Sequence, residues 1–472
     1  GAQAMRCGSA DCTGIKNTAV GAYALDAMTS GEDNTAIGHN ALTACTTGLK
    51  NTGIGRGALQ TVTTGDENTA VGYAALVATT GEDNVAVGYN ALYGQQDADF
   101  NTAVGHSAMQ STTTGSYNTG LGKSALFLNT TGQHNTAVGY GSLVTNVDGD
   151  HNTAIGSEAL YTFEADTDGH GGNTAVGYKS LYDDTTGDKN SALGYHSLAN
   201  VTSGDKNVGV GYQAGLGITS GDENVAVGQY SMAGTCTGDY NVAVGQAALA
   251  ANTSGYSCVA VGRNALDAQT TGHSNVGVGY GALTDSQDGE RNTAIGHSAG
   301  NDITSGVDNT AVGFAALGGV TSGNYNIGIG RNTLNATTTA SANVAVGYTA
   351  MAVNTASNNV AVGHAAMEAN AGGTENVAVG SNALDANVDA SYNTALGSYA
   401  LSGNTSGASN TGLGRYAGKA VTTGSNNVLV GKSAAAATTV GSDNTAVGTS
   451  ALYTNVDGSR NTAIGTSALY YL

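Results

Sequence analysis

The chain has 472 residues, including 73 glycines but no proline or tryptophan, and only 11% of its residues are charged. Its 35 acidic and 15 basic residues give a net charge of −20, which argues against nucleic-acid binding because affinity for phosphate depends on clustered cations. No run of 18 apolar residues occurs, so the sequence predicts no transmembrane helix, and the regular spacing of Val, Ile and Leu excludes a disordered chain.

The first element is an N-terminal segment, residues 1–16, which is either a plain lead-in or a cap about one repeat long. It contains Cys7 and Cys12, for which we keep three alternatives: a disulfide between them, a cross-link to a neighbouring chain, and free thiols. The other three cysteines lie rungs apart and are predicted to be small buried side chains.

A repeat of about 17 residues fills the rest of the chain, residues 17–472, and it occurs 27 times. Each copy starts with Asn, except the one at Cys258, as in NTAVGAYAL from Asn17 and NTAIGTSAL from Asn461. A period this regular indicates one small structural unit per repeat, which buries its apolar face only by stacking on its neighbours. We therefore predict an all-β, parallel β-solenoid of 27 rungs.

Positions within a rung are numbered from its Asn. Position 2 is mostly Thr or Val, position 3 is Ala or Gly except at Leu429, position 4 is Val, Ile or Leu, and position 5 is always Gly. The alternation at positions 2–4 predicts a strand with position 4 in the core and position 3 on the opposite face. Because position 3 is so small, we expect another chain to approach there. A second short strand at positions 7–10 should point the Leu at position 9 inward.

Three columns of residues carry structural predictions. We expect the Asn residues either to stack as an amide ladder or to serve as plain turn residues. The invariant Gly should form a corner that needs a positive φ or close backbone packing. Representative members are Asn17, Asn34, Asn68, Asn84 and Asn461 for the Asn column, Gly21, Gly38, Gly72, Gly88 and Gly465 for the corner, and Ala19, Ala36, Ala70, Ala86 and Ala243 for the stripe between chains.

The motifs NVAVGYNAL from Asn84 and NVAVGSNAL from Asn376 resemble the head repeats of YadA-like trimeric autotransporter adhesins. They are even more similar to the NTAIG-type repeats of phage tail-fibre shafts. This resemblance implies a left-handed β-roll in a parallel homotrimer, located outside the cell or on a virion, with small residues facing the neighbouring chains. The rungs here are longer than typical adhesin-head repeats.

Few residues suggest chemistry. Position 6 holds His, Arg and Tyr in different rungs, and Tyr73, Tyr89, Tyr140 and Tyr212 are either solvated residues or a stacking surface for a glycan or receptor. The column neighbours His134 and His151 should stack as a pair. The longest insertion is either a plain surface loop or a weak metal site, with Asp166, Asp168 and His170 as its candidate ligands. No cofactor is predicted.

The sequence therefore predicts a structural fibre that serves attachment to a cell-surface receptor or glycan, and not an enzyme. A first alternative is a filament that polymerises end to end, since the chain stops within its last rung and leaves strand edges open to pairing. A more remote alternative is a fibre-borne enzyme that degrades glycans, which would need acids at fixed spacing in a groove.

Overall fold

The computed structural model describes residues 4, 12–164 and 171–471, and these residues form strands and turns but no helix. Each repeat contributes one three-residue strand at positions 2–4. The chain divides into two compact units, residues 1–240 (unit 1) and 241–472 (unit 2). These features confirm the predicted all-β parallel solenoid with one rung per repeat.

The strands follow the repeats one for one. Those of unit 1 are β1 (Thr18–Val20), β2 (Thr35–Ile37), β3 (Thr52–Ile54), β4 (Thr69–Val71), β5 (Val85–Val87), β6 (Thr102–Val104), β7 (Thr119–Leu121), β8 (Thr136–Val138), β9 (Thr153–Ile155), β10 (Thr174–Val176), β11 (Ser191–Leu193), β12 (Val208–Val210) and β13 (Val225–Val227). Those of unit 2 are β14 (Val242–Val244), β15 (Val259–Val261), β16 (Val276–Val278), β17 (Thr293–Ile295), β18 (Thr310–Val312), β19 (Ile327–Ile329), β20 (Val344–Val346), β21 (Val360–Val362), β22 (Val377–Val379), β23 (Thr394–Leu396), β24 (Thr411–Leu413), β25 (Val428–Val430), β26 (Thr445–Val447) and β27 (Thr462–Ile464).

Within each unit, consecutive strands pair in parallel and in register. In unit 1, Ala36 pairs with Gly53, and in unit 2, Ala243 pairs with Ala260. Equivalent positions of neighbouring rungs therefore lie about 4.8 Å apart and form columns. Rungs of 16 or 21 residues keep this register, because their length differences fall in the turns.

The predicted orientation of the strand is wrong. The alanines at position 3 were assigned to a surface between chains, but Ala36, Ala70, Ala86 and Ala243 are fully buried inside their own chain, and Ala19 is partly buried. The side chains at positions 2 and 4 lie on the outer face instead. The small residue therefore belongs to the core and does not mark a contact between chains.

The facing wall of the same chain explains why position 3 is small. A Cβ built on Gly53 would lie 3.4 Å from Cγ of Leu42, which occupies position 9 and is fully buried. The interior between the strand and position 9 accommodates Ala or Gly but leaves little room for a branched side chain. The branched residues of the strand consequently face outward, and Ile37 remains 39% exposed.

The second predicted strand, at positions 7–10, does not form. Tyr23 and Leu25, at positions 7 and 9, have φ of 59° and 51°, and left-handed residues recur at these positions in many rungs. These residues reverse the chain direction within a few residues. Backbone hydrogen bonds still form between rungs, since Leu25 N–H donates to the Ala41 carbonyl at 3.1 Å. A left-handed Leu costs about 1–2 kcal/mol, which burial of its side chain offsets with about 1.5–3 kcal/mol. Leu at position 9 points inward as predicted.

The Asn side chains at position 1 form hydrogen bonds in two directions. Asn34 N–H donates to Oδ1 of Asn17 at 2.9 Å, and Asn34 Nδ2 donates to the carbonyl of Gly48 at 2.8 Å. Each Asn thus forms hydrogen bonds to the preceding rung and to the turn near position 15. Asn34, Asn68 and Asn84 are fully buried, whereas Asn17 and Asn461 are partly buried.

The glycines at position 5 lie where adjacent rungs come closest. Gly38 has φ of 141°, and a Cβ placed on it would lie 2.4 Å from the carbonyl oxygen of Gly55. The same close approach occurs at Gly21, Gly72 and Gly88. Gly465 has φ of 120° but no atom within 4 Å of such a Cβ. The corner therefore requires Gly both for its φ and for the space.

A second interior column, at position 12, was missed in the sequence. It is buried throughout much of both units but mixes apolar residues such as Met28 and Phe163 with amides and hydroxyls. Neighbouring amides bond to each other, and Asn146 Nδ2 donates to Oδ1 of Asn129 at 2.7 Å. Position 12 varies so much between rungs that no pattern in the sequence indicated its burial.

Positions 3, 9 and 12 compensate for one another in the core. Leu429 is the one large residue at position 3, and a Cβ on Gly418, at position 9 of the preceding rung, would lie 2.5 Å from its Cδ1. Position 9 of its own rung is Ala435. Two other rungs with Gly at position 9 carry Ile218 or Ile303 at position 12. In these rungs a larger residue at one interior position accompanies a smaller one at another, as expected of a close-packed interior.

Candidate functional site

The outer face of the strands, formed by positions 2 and 4, is an uncharged surface that runs along each unit. Position 2 carries Thr, Val, Ser or Ile and position 4 carries Val, Ile or Leu, so no charged residue lies on it. Many of the Val, Ile and Leu residues at position 4 are exposed. Examples are Val104, Leu121, Ile155 and Leu193 in unit 1 and Val261, Ile295, Ile329 and Leu396 in unit 2. Position 2 is Thr or Ser in 16 of the 27 strands, so the apolar part of this face is the row of Val, Ile and Leu at position 4. A continuous row of exposed apolar side chains is typical of an interaction site.

The four tyrosines predicted as a binding surface lie in the position-6 column and are exposed. Tyr73 and Tyr89 stack with their ring centroids 5.2 Å apart. Tyr212 stacks on Tyr195 at 5.3 Å, and Tyr140 lies 5.7 Å from the ammonium of Lys123. Because stacked rings cover each other's faces, an external ligand would meet mainly their edges and hydroxyls.

The position-6 column continues in unit 2 with the same kinds of residue. Tyr280, His297 and Phe314 form a continuous stack with centroid distances of 4.9 and 5.2 Å. Arg331 then lies between Phe314 and Tyr348, with its guanidinium carbon 5.2 and 6.0 Å from the two ring centroids. Rings and cations therefore alternate in contact along the column.

The charge of this column differs from that of the chain. None of its 27 members is Asp or Glu, although the chain contains 35 acidic residues. Six of the 15 Lys and Arg residues occupy it. They are Arg56, Lys123, Arg263, Arg331, Arg415 and Lys432. The column is thus a cationic and aromatic surface on an acidic protein, a difference that shows only when the residues of one column are counted together.

The weak metal candidates Asp166, Asp168 and His170 lie outside the described residues. Within residues 12–164 and 171–471, no three His, Cys, Asp or Glu side chains are arranged to hold a metal ion. The predicted pair of histidines does stack, since the rings of His134 and His151 lie 5.0 Å apart.

The cysteines of the array behave as core residues. Cys45, Cys236 and Cys258 are fully buried, as predicted. Burial raises the pKa of the Cys45 thiol to about 11, which makes it unreactive at neutral pH. The predicted alternatives for Cys7 cannot be compared with the structure, because that residue lies outside the described part of the chain.

Asp184 is a buried acid in the interior column at position 12. Its Oδ1 accepts a hydrogen bond from Gly187 N–H at 2.8 Å, while Oδ2 has no partner among the described residues. Burial raises its pKa well above the ordinary value, against the opposing effects of the Gly187 N–H and the Asn190 side chain. Other rungs place Asn at this position, so the sequence gave no reason to separate Asp184 from the surface acids.

Comparison with protein-family models and with curated proteins produced no match. No helix long and apolar enough to cross a membrane occurs in the part of the chain that the structure describes. The fold and its surfaces are therefore the basis for assigning a function.

Proposed function

We propose that this chain is a structural fibre protein that serves attachment, outside the cell or on a virion surface. It acts as a parallel homotrimer and has no catalytic role. The similarity of its repeats to those of YadA-like adhesins and phage tail-fibre shafts supports the class, the location and the number of three chains. The position-6 column offers a surface for the receptor or glycan to which the fibre attaches.

The observation that carries the proposal is the exposed apolar face at positions 2 and 4. Burying one Val, Ile or Leu side chain contributes up to about 1.5–3 kcal/mol. Association of chains costs about 4–15 kcal/mol in lost freedom. Even a fraction of that gain in each of the 27 strands would exceed this cost. Identical parallel chains also present the same rung at the same height, so their outer faces match without any shift.

Sedimentation of the intact chain tests self-association. We expect three times the chain mass of 46.4 kDa, and a monomer at micromolar concentration would contradict the proposal. The double variant Val346→Lys and Val379→Lys places charge on the outer face of β20 and β22, and it should dissociate the trimer. The matched control, Ser381→Lys and Ser398→Lys, adds the same charge at position 6 and should leave the trimer intact.

The two alternative functions predict different observations. A filament that polymerises end to end would appear in electron micrographs as continuous threads, whereas an attachment fibre would appear as discrete particles of one size. A glycan-degrading enzyme would release reducing ends from a bound polysaccharide over time. We expect discrete particles and no release of reducing ends.

A further inference from the structure

One slot in unit 2 is lined by side chains of three consecutive rungs, which begin at Asn410, Asn427 and Asn444. It has a volume of about 580 Å³, in the range of small-molecule sites. Its lining residues are Tyr416, Lys419, Ala420, Ser433, Ala436, Ala437 and Tyr453. At positions 7, 10 and 11 the middle rung has only the small residues Ser433, Ala436 and Ala437, whereas the rungs on either side contribute Tyr416, Lys419 and Tyr453. The slot is therefore the space left by one missing layer of side chains.

The two aromatic walls are each backed by a second ring. Tyr416 packs against Tyr399 of the preceding rung at 5.5 Å, and Tyr453 stacks on Tyr470 of the following rung at 5.0 Å. Tyr416 lies at position 7 and Tyr453 at position 10, in different columns and two rungs apart, which is a rise of about 9.6 Å along the stack. With its volume of about 580 Å³, the slot can admit one ring of a ligand.

The surroundings of the slot are positively charged. Residues 390–442 contain no Asp or Glu, although the chain as a whole has a net charge of −20. Arg415 lies 4.5 Å from the Tyr416 ring and donates to its hydroxyl at 2.9 Å, and Lys419 Nζ lies 5.1 Å from the same ring. Neither cation forms an ion pair with a carboxylate among the described residues. Both keep donors available for an anion.

We propose that this slot binds a carboxylate-bearing saccharide unit of a glycan. A pyranose ring would pack on the tyrosines, the Ser433 hydroxyl would bond to its hydroxyl groups, and Arg415 and Lys419 would hold its carboxylate. This inference rests on the proposed attachment function and specifies what is recognised. The slot uses positions 7, 10 and 11, so association through positions 2 and 4 leaves it open.

Binding of sialyllactose, a glucuronate disaccharide and neutral lactose to the intact protein tests the inference by calorimetry or ligand-observed NMR. We expect at least one acidic sugar to bind and lactose to bind at least roughly tenfold more weakly, since hydrogen bonds to charged groups carry most of the affinity. Equal binding of lactose would overturn the proposed role of the cations. Absence of binding by both acidic sugars would overturn the site.

Two variants and one matched control locate the binding. Ala436→Tyr places a ring in the slot, at a position that carries Tyr in other rungs such as that of Tyr453. It should therefore abolish binding. Ala250→Tyr makes the same change at position 10 of another rung and should leave binding unchanged. Lys419→Gln should weaken the acidic sugar roughly tenfold without affecting lactose. Undiminished binding by Ala436→Tyr would place the sugar elsewhere.

The test of sugar binding and the test of the proposed fibre function can fail independently. Self-association is measured by mass, so a trimer without sugar binding removes only the slot inference. A monomer that binds the acidic sugar removes the fibre proposal and leaves the slot. Unfolding of Ala436→Tyr is compared with that of Ala250→Tyr, so a loss of binding is attributed to the slot only when both variants are equally stable.

Discussion

The backbone N–H of the residue two before the repeat Asn donates to a side chain of the next rung, and the two units use mostly different acceptors for it. In unit 1, Asp188 N–H donates to Oδ1 of Asp205 at 2.8 Å, whereas in unit 2, Ser425 N–H donates to Oγ of Ser442 at 3.0 Å. The acceptor is the residue two before each repeat Asn, and we call this the acceptor column. Its acceptors in unit 1 are Asp66, Asp99, Asp150, Asp188, Asp205, Asp222 and Asp239 together with Ser116, and those in unit 2 are Asn324, Ser341, Ser357, Ser391, Ser425, Ser442 and Ser459.

This difference shows that the turn before the repeat Asn needs a side-chain acceptor but does not need that acceptor to be charged. Unit 1 contains 23 acidic and eight basic residues, and unit 2 contains 12 acidic and seven basic residues. The turn forms equally well with either acceptor, so the acidity of unit 1 is not a requirement of the fold. Carboxylates about 4.8 Å apart repel each other by about 1 kcal/mol in water before screening by salt. Unit 1 therefore tolerates this repulsion.

The largest expected effect is common to both units, because it concerns the backbone alone. Gly105→Ala in unit 1 and Gly262→Ala in unit 2 would each bring a Cβ within 2.4 Å of a carbonyl oxygen of the next rung. Together with the cost of their positive φ, we expect each to lower the free energy of unfolding by about 2–5 kcal/mol. Denaturant midpoints followed by circular dichroism would measure the losses.

Gly465→Ala is the matched control for this experiment. Its φ is similarly positive, but no atom lies within 4 Å of the added Cβ. Gly465→Ala should lower the free energy of unfolding only by the cost of the backbone strain, about 1 kcal/mol. Equal losses at Gly465 and Gly262 would show that close approach of rungs is not the reason for the invariant glycine. Unequal losses at Gly105 and Gly262 would show that the units differ in more than charge.

The second effect concerns a buried acid of unit 1 whose position is occupied by Asn in several rungs of unit 2, such as that of Asn404. Asp184→Asn should stabilise the protein at pH 7 by about 1–3 kcal/mol, because it removes a carboxylate that folding desolvates. The pKa of Asp184 is raised in the folded state, so its favourable contribution is complete below the ordinary carboxyl pKa of about 4. That contribution is lost as the pH rises through the folded pKa.

The gain from Asp184→Asn should therefore grow between about pH 4 and pH 7 and vanish at lower pH. Thermal unfolding across this range measures it. The exposed neighbour Asp183 provides the control, since Asp183→Asn removes a carboxylate that stays in water. A gain that is independent of pH would show that packing or hydrogen bonding, and not ionisation, distinguishes Asn from Asp at this position.

The repeat alone predicts most of the fold. The fixed interval between successive Asn residues predicted the number of rungs and their parallel stacking, and the Leu at position 9 was correctly assigned to the core. The strand pattern predicts the wrong buried face, because Val at position 4 is larger and more apolar than Ala at position 3. The rule that the larger apolar residue faces the core assumes a spacious interior, whereas Leu42 already fills the space opposite Gly53. Which face is inside depends on the facing wall, and the strand pattern carries no information about that wall.

The candidate surfaces were less predictable than the fold. The tyrosines of the position-6 column were found because that column repeats, and its lack of acids could have been found by comparing columns instead of single residues. The slot between Tyr416 and Tyr453 depends on small residues at three positions of one rung. Small side chains in a sequence are as common in buried positions as in exposed ones. Only the placement of position 10 at the surface distinguishes a gap from a packed core.

The smallest expected effect tests the difference between the units directly. Asp205→Ser gives unit 1 the acceptor of unit 2 and should change the free energy of unfolding by less than about 0.5 kcal/mol. Asp205→Ala leaves the Asp188 N–H without this side-chain acceptor and should cost about 0.5–1.5 kcal/mol, as should Ser442→Ala in unit 2. Raising the salt concentration should narrow any difference between Asp205 and its Ser variant, because only repulsion between carboxylates is screened. If Asp205→Ser were as costly as Asp205→Ala, the carboxylate would contribute more than an acceptor, and the acidity of unit 1 would be part of its fold.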